Sequence, residues 1–367
     1  KITDVPEIYV DDENLYNDLS TDNLNLKCDI DDVFHIIYTS GSTGVPKGNM
    51  IKNRGIIRLL LDTNYVDYSD EDIMVTSASL TFDISGFELW GAMLYGMTLH
   101  MLTKEQIMNI DYYSKYLIEN KITTTFLATP IFHLMVEENV DMFKNMKSIY
   151  VGGETLLPKY TNMLFTAYPN IKVYNAYGPA EITVICCAML INRIYESYED
   201  IPLGKIASNN TVYVLDKCQK LCPVNIPGDL YVFGDGLGLG YVNRPDLTRE
   251  RFTYIDGFDG LSYRSGDLTK WNNNGEIRFM TRIDKQVKIR GQRIELSEIQ
   301  NKMLELPELK EAVAIVVTNN DNKYIIAYYT TNANISAESI HEYLAKYLPD
   351  YMVPYKLVEV PEIPYTH

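Results

Sequence analysis

The sequence predicts an α/β protein. A large domain with a doubly wound, largely parallel sheet carries a β-rich subdomain and is followed by a small α+β domain. Three observations say so. Residues 30–200 alternate short β-rich runs with helical patterns, the order of a parallel sheet covered by helices. Helical patterns vanish from about 200 to 283, leaving strands separated by Gly, Pro and Asn turns. Both kinds of element return over 284–367 with their own apolar residues, as a separate domain would have. The expected division is therefore 1–283 and 284–367, and 367 residues suffice for two such cores.

Taken in order, "VFHII" (33–37) is a strand, and "MIKNRGIIRLLLDT" (50–63) has apolar residues at helical spacing. "DIMVTSASL", "MTLHML", "ITTTFLA" and "MKSIYVGG" are strands, interleaved with the helical "GFELWGAMLYG", "NIDYYSKYLIEN", "PIFHLMVEENV" and "LPKYTNMLFTAYP". "TVYVLD", "GDLYVFG" and "GEIRFM" are the strands of the β-rich part. In the small domain "KEAVAIVV" and "KYIIAYYTT" are strands, and "LSEIQNKMLEL" and "SAESIHEYLAKYL" are helices.

Apolar residues make up 46% of the chain and charged residues 22%, an ordinary globular composition. Lys and Arg number 33 against 49 Asp and Glu, a formal net charge of −16. That excess opposes nonspecific binding to nucleic acid and to anionic membranes, so an anionic ligand has to be held by local groups. The longest apolar runs are strand-length, far short of the roughly 20 residues of a membrane span, and no signal peptide is visible. The expectation is a cytoplasmic protein with neither nucleic-acid nor membrane partner. With Lys1 as the first residue, the natural start is expected upstream. Five cysteines, an odd number with no second ligand pair beside Cys218 and Cys222, read as reduced structural thiols rather than a zinc site.

The stretch "YTSGSTGVPKG" (38–48) concentrates hydroxyls, glycines and a lysine between an expected strand and an expected helix. Free N–H groups and a helix dipole there would attract an anion. A Walker A loop is excluded, because Pro46 stands at the second glycine position and Lys47 is followed by Gly48. Composition alone leaves phosphate binding and a plain Gly/Ser turn both open. Other stretches are odd for structure alone. "FDIS" (82–85) sets Asp83 in an apolar run, where an unpaired carboxylate is costly. "YNAYGPAEIT" (174–183) surrounds a Gly-Pro turn with aromatics and Glu181, and "YRSGDL" (263–268) and "RIDKQVKIRGQRIE" (282–295) are dense in charge and glycine. Each alone could be a turn with solvated charges.

Together and in this order, with "GDLYVFGDGLGLGYVNRPDLTRERF" (228–252) and "LPDYMVP" (348–354), these stretches resemble the core motifs of the adenylate-forming superfamily. The resemblance is strongest to the adenylation domains of nonribosomal peptide synthetases, and it covers nearly the whole chain. It implies the adenylate-forming enzyme fold and a two-step reaction. ATP, with Mg²⁺, and an amino acid give aminoacyl-AMP and pyrophosphate. The acyl group then passes to the phosphopantetheine thiol of a peptidyl carrier protein, within a set of neighbouring synthetase domains. Bringing a carboxylate onto an α-phosphate sets two anions together, so oriented donors and positive charge are the main requirement.

On that likeness Thr39, Ser40, Gly41, Ser42, Thr43, Gly44 and Lys47 clamp the β- and γ-phosphates, and Glu181 is the Mg²⁺ ligand. Lys47, Glu181 and Arg282 form the catalytic set, with Arg282 on the ribose or α-phosphate side. Tyr177, flanked by Asn175, Ala176 and Gly178, stacks on adenine, while Gly152, Gly153 and Glu154 edge the base. Asp267 accepts the ribose hydroxyls. Ala180 stands where many relatives carry Thr, which removes one hydroxyl donor and is expected to modulate activity.

Asp83 matches the position that pairs with the substrate's α-ammonium group, which selects amino acids over fatty or aryl acids. Ile84, Phe87, Phe126, Tyr150, Gly152, Ala176, Val184 and Ile185 match the pocket lining. No charge is left for the side chain to meet, so an aliphatic amino acid such as Ile, Val or Leu is expected. The alternatives are another adenylate-forming ligase, loading D-alanine or an aryl acid onto a carrier, and a non-catalytic adenylate-binding module. Asp284 takes the family's hinge position, about which the small domain rotates between the two reactions. The chain begins just ahead of the phosphate loop and ends at "PEIPYTH", short of the family's Asn-Gly-Lys motif, so a longer polypeptide is expected.

Overall fold

The computed structural model describes residues 9, 11–41, 46–284, 286–289, 291–319 and 322–364. Strands β1 (Val33–Thr39) and β2 (Lys47–Lys52) pair antiparallel as a separate two-stranded sheet, with Thr39 opposite Lys47. Helix α1 (Asn53–Leu60) follows at once. This corrects the expectation that the polar loop feeds directly into a helix. "KGNMIK" stays extended because its main chain is satisfied across the hairpin and, at Met50, by the Gly240 carbonyl 3.0 Å away. The dipole of α1 therefore starts a full strand beyond Lys47 and is not what makes this loop attractive to anions.

The centre is a seven-stranded sheet of β3 (Ile73–Val75), β4 (Thr98–His100), β5 (Thr124–Ala128), β6 (Ser148–Gly152), β7 (Lys172–Tyr177), β8 (Cys187–Ile191) and β9 (Lys205–Ile206). Its order is β4-β3-β5-β6-β7-β8-β9. The strands from β4 to β7 are parallel, and β8 and β9 continue the sheet antiparallel. Helices α2 (Ile84–Tyr95), α3 (Lys104–Met108), α4 (Ile110–Glu119), α5 (Thr129–Asn139) and α6 (Pro158–Ala167) make the crossovers. β6 is buried along its whole length, as a parallel strand covered on both faces must be. Alternate residues feed two cores: Leu127, Ile149 and Val151 pack with Phe132 and Leu164, while Phe126 and Tyr150 pack with Leu59 and Phe87.

Next come β10 (Asn210–Leu215), β11 (Gly228–Gly234), β12 (Phe252–Tyr254), β13 (Leu261–Trp271) and β14 (Ile277–Arg282), an antiparallel sheet centred on β13. Helix α7 (Pro245–Arg251) lies in the stretch where the sequence pattern predicts none. Proline in its first turn and Arg249 and Arg251 in its last favour it locally. β13 runs straight through "YRSGDL", which sets Asp267 opposite Arg282. The C-terminal residues form the hairpin β15 (Val287–Ile289) and β16 (Gln292–Ile294), helix α8 (Leu296–Met303), and a three-stranded sheet of β17 (Leu309–Asn319), β18 (Asn322–Thr331) and β19 (Lys356–Glu359), packed with helix α9 (Ala337–Tyr347). Ile294, Ile299, Ala327, Ile340 and Leu344 are central to their core.

Candidate active site

The carboxyl ends of β5, β6 and β7 deliver the site, the usual place for ligands in a parallel α/β sheet. β6 ends at Gly152 and is followed by Gly153 and Glu154, and β7 ends at Tyr177 just before Gly178. Two cavities open here. The larger, about 540 Å³, is lined among others by Gly153, Glu154, Asn175, Ala176, Tyr177, Gly178, Asp267, Arg282 and Asp284. The smaller, about 110 Å³, is lined among others by Thr39, Ser40, Asp83, Ile84, Phe126, Gly153, Ala176 and Val184. Residues far apart in the chain are thus gathered much as the motifs imply. Ser42, Thr43 and Gly44 lie outside the described residues.

In the larger cavity Tyr177 donates its hydroxyl to Asp267 Oδ2, and the Arg282 Nη1 donates to Asp267 Oδ1 at 2.8 Å. Burial pushes the Tyr177 phenol well above its ordinary pKa. Arg282 also holds Asp284 through Nε at 2.9 Å and Nη2 at 2.7 Å. Burial alone would raise the Asp284 carboxyl; the hydrogen bonds and charge of Arg282, with Arg251 nearby, more than offset this and lower it. Asp267, expected to take ribose hydroxyls, thus accepts one donor on each oxygen from Tyr177 and Arg282, which leaves acceptor capacity on both.

Glu154, expected at the edge of a base, lines the larger cavity, and its carboxylate also reaches residues of the C-terminal part. Its Oε1 accepts the Gly291 N–H at 3.0 Å and its Oε2 accepts Lys323 Nζ at 2.5 Å. Lys323 also donates to the Lys288 carbonyl at 3.1 Å. Gly153 and Gly291 both have left-handed φ, 97° and 76°. A Cβ on Gly153 would lie 3.0 Å from the Gly291 Cα, so this approach needs glycine.

Lys47 and Glu181 form a buried ion pair at 3.0 Å. Tyr241 bridges it, donating to Glu181 Oε1 at 2.6 Å and lying 3.1 Å from Lys47 Nζ. Mg²⁺ typically takes one or two carboxylates together with substrate phosphates. Glu181 supplies one such carboxylate, buried and held by Lys47 and Tyr241. Among the described residues no cluster of three acidic, His or Cys side chains could hold a metal unaided.

Asp83 sits at the mouth of the smaller cavity, half-buried, and accepts the Ile84 N–H at 3.0 Å. Burial pushes its carboxyl up to about 6, against the pull of that N–H and of Lys288. Phe87, Tyr150, Gly152 and Ile185, expected as lining, are not on the cavity wall but in the layer behind it. The Phe126 ring shields them: it lies 5.6 Å from the ring of Phe87 and 6.4 Å from that of Tyr150, and a Cβ on Gly152 would press on it at 3.2 Å. Around this cavity Thr39 Oγ1, Gln286 Oε1 and Gln292 Oε1 are buried without hydrogen-bond partners among the described residues. Such atoms are costly unless a ligand satisfies them.

Three participants escape sequence reasoning. Tyr241 lies inside the quoted "GYVNRP" stretch, but nothing there gives its partners. Lys323 carries no local signal. Arg58 interrupts the aliphatic run "GIIRLLL", an oddity that could have drawn attention.

The layout is that of an α/β enzyme with a nucleotide-sized cleft beside a small acid-lined cavity. The chain belongs to the AMP-binding enzyme family, whose model matches residues 3–242. It is 39% identical to gramicidin S synthase 2 of Brevibacillus brevis over 98% of this chain and 8% of that protein. It is 38% identical to surfactin synthase subunit 2 of Bacillus subtilis (strain 168) over 95% of this chain and 10% of that protein. The chain thus spans about a tenth or less of these relatives. The holo form of PA1221, a nonribosomal peptide synthetase protein containing adenylation and PCP domains and bound to a vinylsulfonamide inhibitor, superposes with a TM-score of 0.84 at 26% identity, covering 92% of this chain and 59% of that one. NpsA-ThdA, an artificially fused adenylation–PCP di-domain from Klebsiella oxytoca, gives 0.81 at 28% identity, covering 89% and 65%.

Proposed function

We propose that this chain uses ATP to activate an amino acid with a branched aliphatic side chain as aminoacyl-AMP, releasing pyrophosphate, and then passes the acyl group to a phosphopantetheine thiol on a carrier protein. The observation that carries the reading is Asp83, a carboxylate on a small cavity that it shares with Thr39 and Ser40, next to the nucleotide-sized cleft. A half-buried carboxylate there needs a cationic partner, and the α-ammonium of an amino acid supplies one. Phe126, Ile84, Ala176 and Val184 give the side chain apolar contact, beside the polar and charged lining of Arg282, Gln286, Lys288 and Gln292.

In the first step the substrate carboxylate oxygen attacks the α-phosphorus of ATP, and the bond from that phosphorus to the bridging oxygen of pyrophosphate breaks. Asp83 orients the amino acid, Arg282 approaches the ribose and α-phosphate from β14, and Thr39, Ser40 and Lys47 receive the departing phosphates. Glu181 would hold Mg²⁺, which would neutralise charge on the phosphates. In the second step the thiol loses its proton, its sulfur bonds to the carbonyl carbon, and the bond from that carbon to the phosphate oxygen breaks, so that AMP leaves. The divided chain, 1–283 and 284–367 with Asp284 between, allows one site to serve both steps. The carrier is suggested by the PCP domains of the two structural neighbours, and the other synthetase domains by the length of the relatives.

The test is amino-acid-dependent exchange of labelled pyrophosphate into ATP, using the full-length polypeptide that contains this chain and a panel of amino acids. Ile, Val and Leu should give the highest rates. A best response to Asp, Lys, an aryl acid or a fatty acid would overturn the assignment of the pocket.

A further inference from the structure

The Arg58 guanidinium is buried inside the large domain, with 2% of the residue exposed, yet it meets main-chain carbonyls rather than a carboxylate. Its Nη2 donates to the carbonyls of Ile182 and Thr183, each at 2.9 Å, and its Nη1 donates to the carbonyl of Ile185. Three acceptors within four residues mean that the side chain is shaped around one turn. A buried cation is tolerated only when hydrogen bonds replace its hydration.

That turn is unusual. Thr183 and Val184, neither of them glycine and both β-branched, have left-handed φ of 55° and 66°. β-branched residues adopt this conformation only where the surroundings enforce it. Several neighbours help. Asn49 Nδ2 holds the Ala180 carbonyl at 2.7 Å, the Gly238 N–H holds the Glu181 carbonyl at 2.9 Å, and Thr183 Oγ1 donates to the Gly236 carbonyl at 2.8 Å. Gly55, one turn before Arg58 on α1, comes so close that a Cβ there would lie 2.5 Å from Thr183 Oγ1. The same short segment carries Glu181 at one end and, at the other, Val184 on the cavity wall and Ile185 behind it.

We infer that Arg58 is a positioning residue for amino-acid selectivity, fixing the strained turn that sets Val184 against the cavity. Selectivity among aliphatic side chains then depends on a cation that never touches the substrate. The inference rests on the amino-acid-activating reading above. In the native chain the guanidinium ties three carbonyls into one rigid unit. Lysine at position 58 keeps the charge but cannot reproduce that geometry, since its three donors radiate from one nitrogen instead of a wide planar fork.

The experiment compares Arg58→Lys and Gly55→Ala with the parent in the full-length polypeptide. Gly55→Ala presses on the same turn from the same helix without changing any charge. For each, kcat/KM is measured by pyrophosphate exchange for the best amino acid and for homologues one methylene shorter and longer, together with KM for ATP and the melting temperature. The expected result is a loss of up to about 10-fold in the ratio between the best amino acid and its homologues, with KM for ATP held within about 2-fold of the parent. A uniform fall in the rates for all amino acids, or an unchanged ratio in both variants, would make Arg58 merely structural and overturn the inference. So would failure of both variants to fold; if only Arg58→Lys fails, Gly55→Ala decides. A parent with no amino-acid-dependent exchange would overturn the functional reading itself, whereas an active parent with an unmoved ratio overturns the role of Arg58 alone.

Discussion

The two cavities of the site are held in contrasting ways. One side of the small one is backed by packed rings: Phe126 on its wall lies against Phe87 and Tyr150, with Tyr174 stacked 5.2 Å beyond Tyr150. The large one is framed by charge pairs, Asp267 with Arg282, Arg282 with Asp284, and Glu154 with Lys323. Packed rings give a fixed shape, because an interior at crystal-like density has no slack to yield. Of the charge pairs, Glu154–Lys323 reaches solvent and can exchange partners at small cost, whereas Asp267–Arg282 is largely buried and borders both cavities. The small cavity is thus shaped partly by packing, and the large one mainly by the pairing of charges.

The largest expected effect tests the small cavity. Asp83→Asn should lower kcat/KM for the amino acid on the order of 100-fold or more, as truncating one member of a desolvated charge pair does, while leaving ATP affinity nearly unchanged. Equal loss of both would assign Asp83 a structural role. A pH profile sharpens the point. Burial lifts the Asp83 carboxyl from 3.8 to about 6, so the folded protein holds that proton more tightly than the unfolded chain does. Ionising it across roughly pH 4 to 6 therefore costs stability. Asp83→Asn should be more resistant to denaturant than the parent above pH 6 and no different near pH 3. In the parent, KM for the amino acid should rise as the pH falls below about 6, because the protonated acid no longer pairs with an ammonium group.

The charge-paired side is tested next. Asp284→Pro fixes φ and removes a backbone donor, and it also deletes the carboxylate that Arg282 and Arg251 hold. One half-reaction should fall about 10- to 100-fold relative to the other, as small misplacements of reacting groups do. Pyrophosphate exchange and carrier loading on a single preparation give the ratio, and parent-like rates in both would remove the hinge from Asp284. The smallest effect belongs to Lys323→Ala, which frees one oxygen of Glu154. A partly exposed pair of this kind should change carrier loading only about 2- to 5-fold, with exchange unaffected. A larger loss of exchange than of loading would place Lys323 on the nucleotide instead.

The contrast between the two sides also marks how far the sequence can be read. Parallel strands and their crossover helices are plain, because β5 and β6 lie in apolar runs and α4 and α6 repeat at helical spacing. Asp83 stands out as a carboxylate among apolar residues, and it lies on the small cavity. The β1–β2 hairpin escapes the sequence because "KGNMIK" is short and mostly polar, and its partners include a carbonyl at Gly240. The layer order of the pocket is also hidden: nothing in the spacing of Phe87, Phe126 and Tyr150 says that one ring screens the other two. Glu154 and Lys323 meet across 169 positions and Arg58 meets Thr183 across 125. Pairings over such separations come from the folded arrangement and leave no periodic trace.

The turn held by Arg58 bears on how substrate preference changes between related chains. If the cavity wall is aimed from behind, two chains with identical wall residues but different residues at positions 55 and 58 would prefer different amino acids. Swapping wall residues between relatives would then carry only part of the preference with them. A transplant that also moved the α1 positions contacting the turn would carry more, and α1 offers a place to retune the pocket without altering a single atom that the substrate meets.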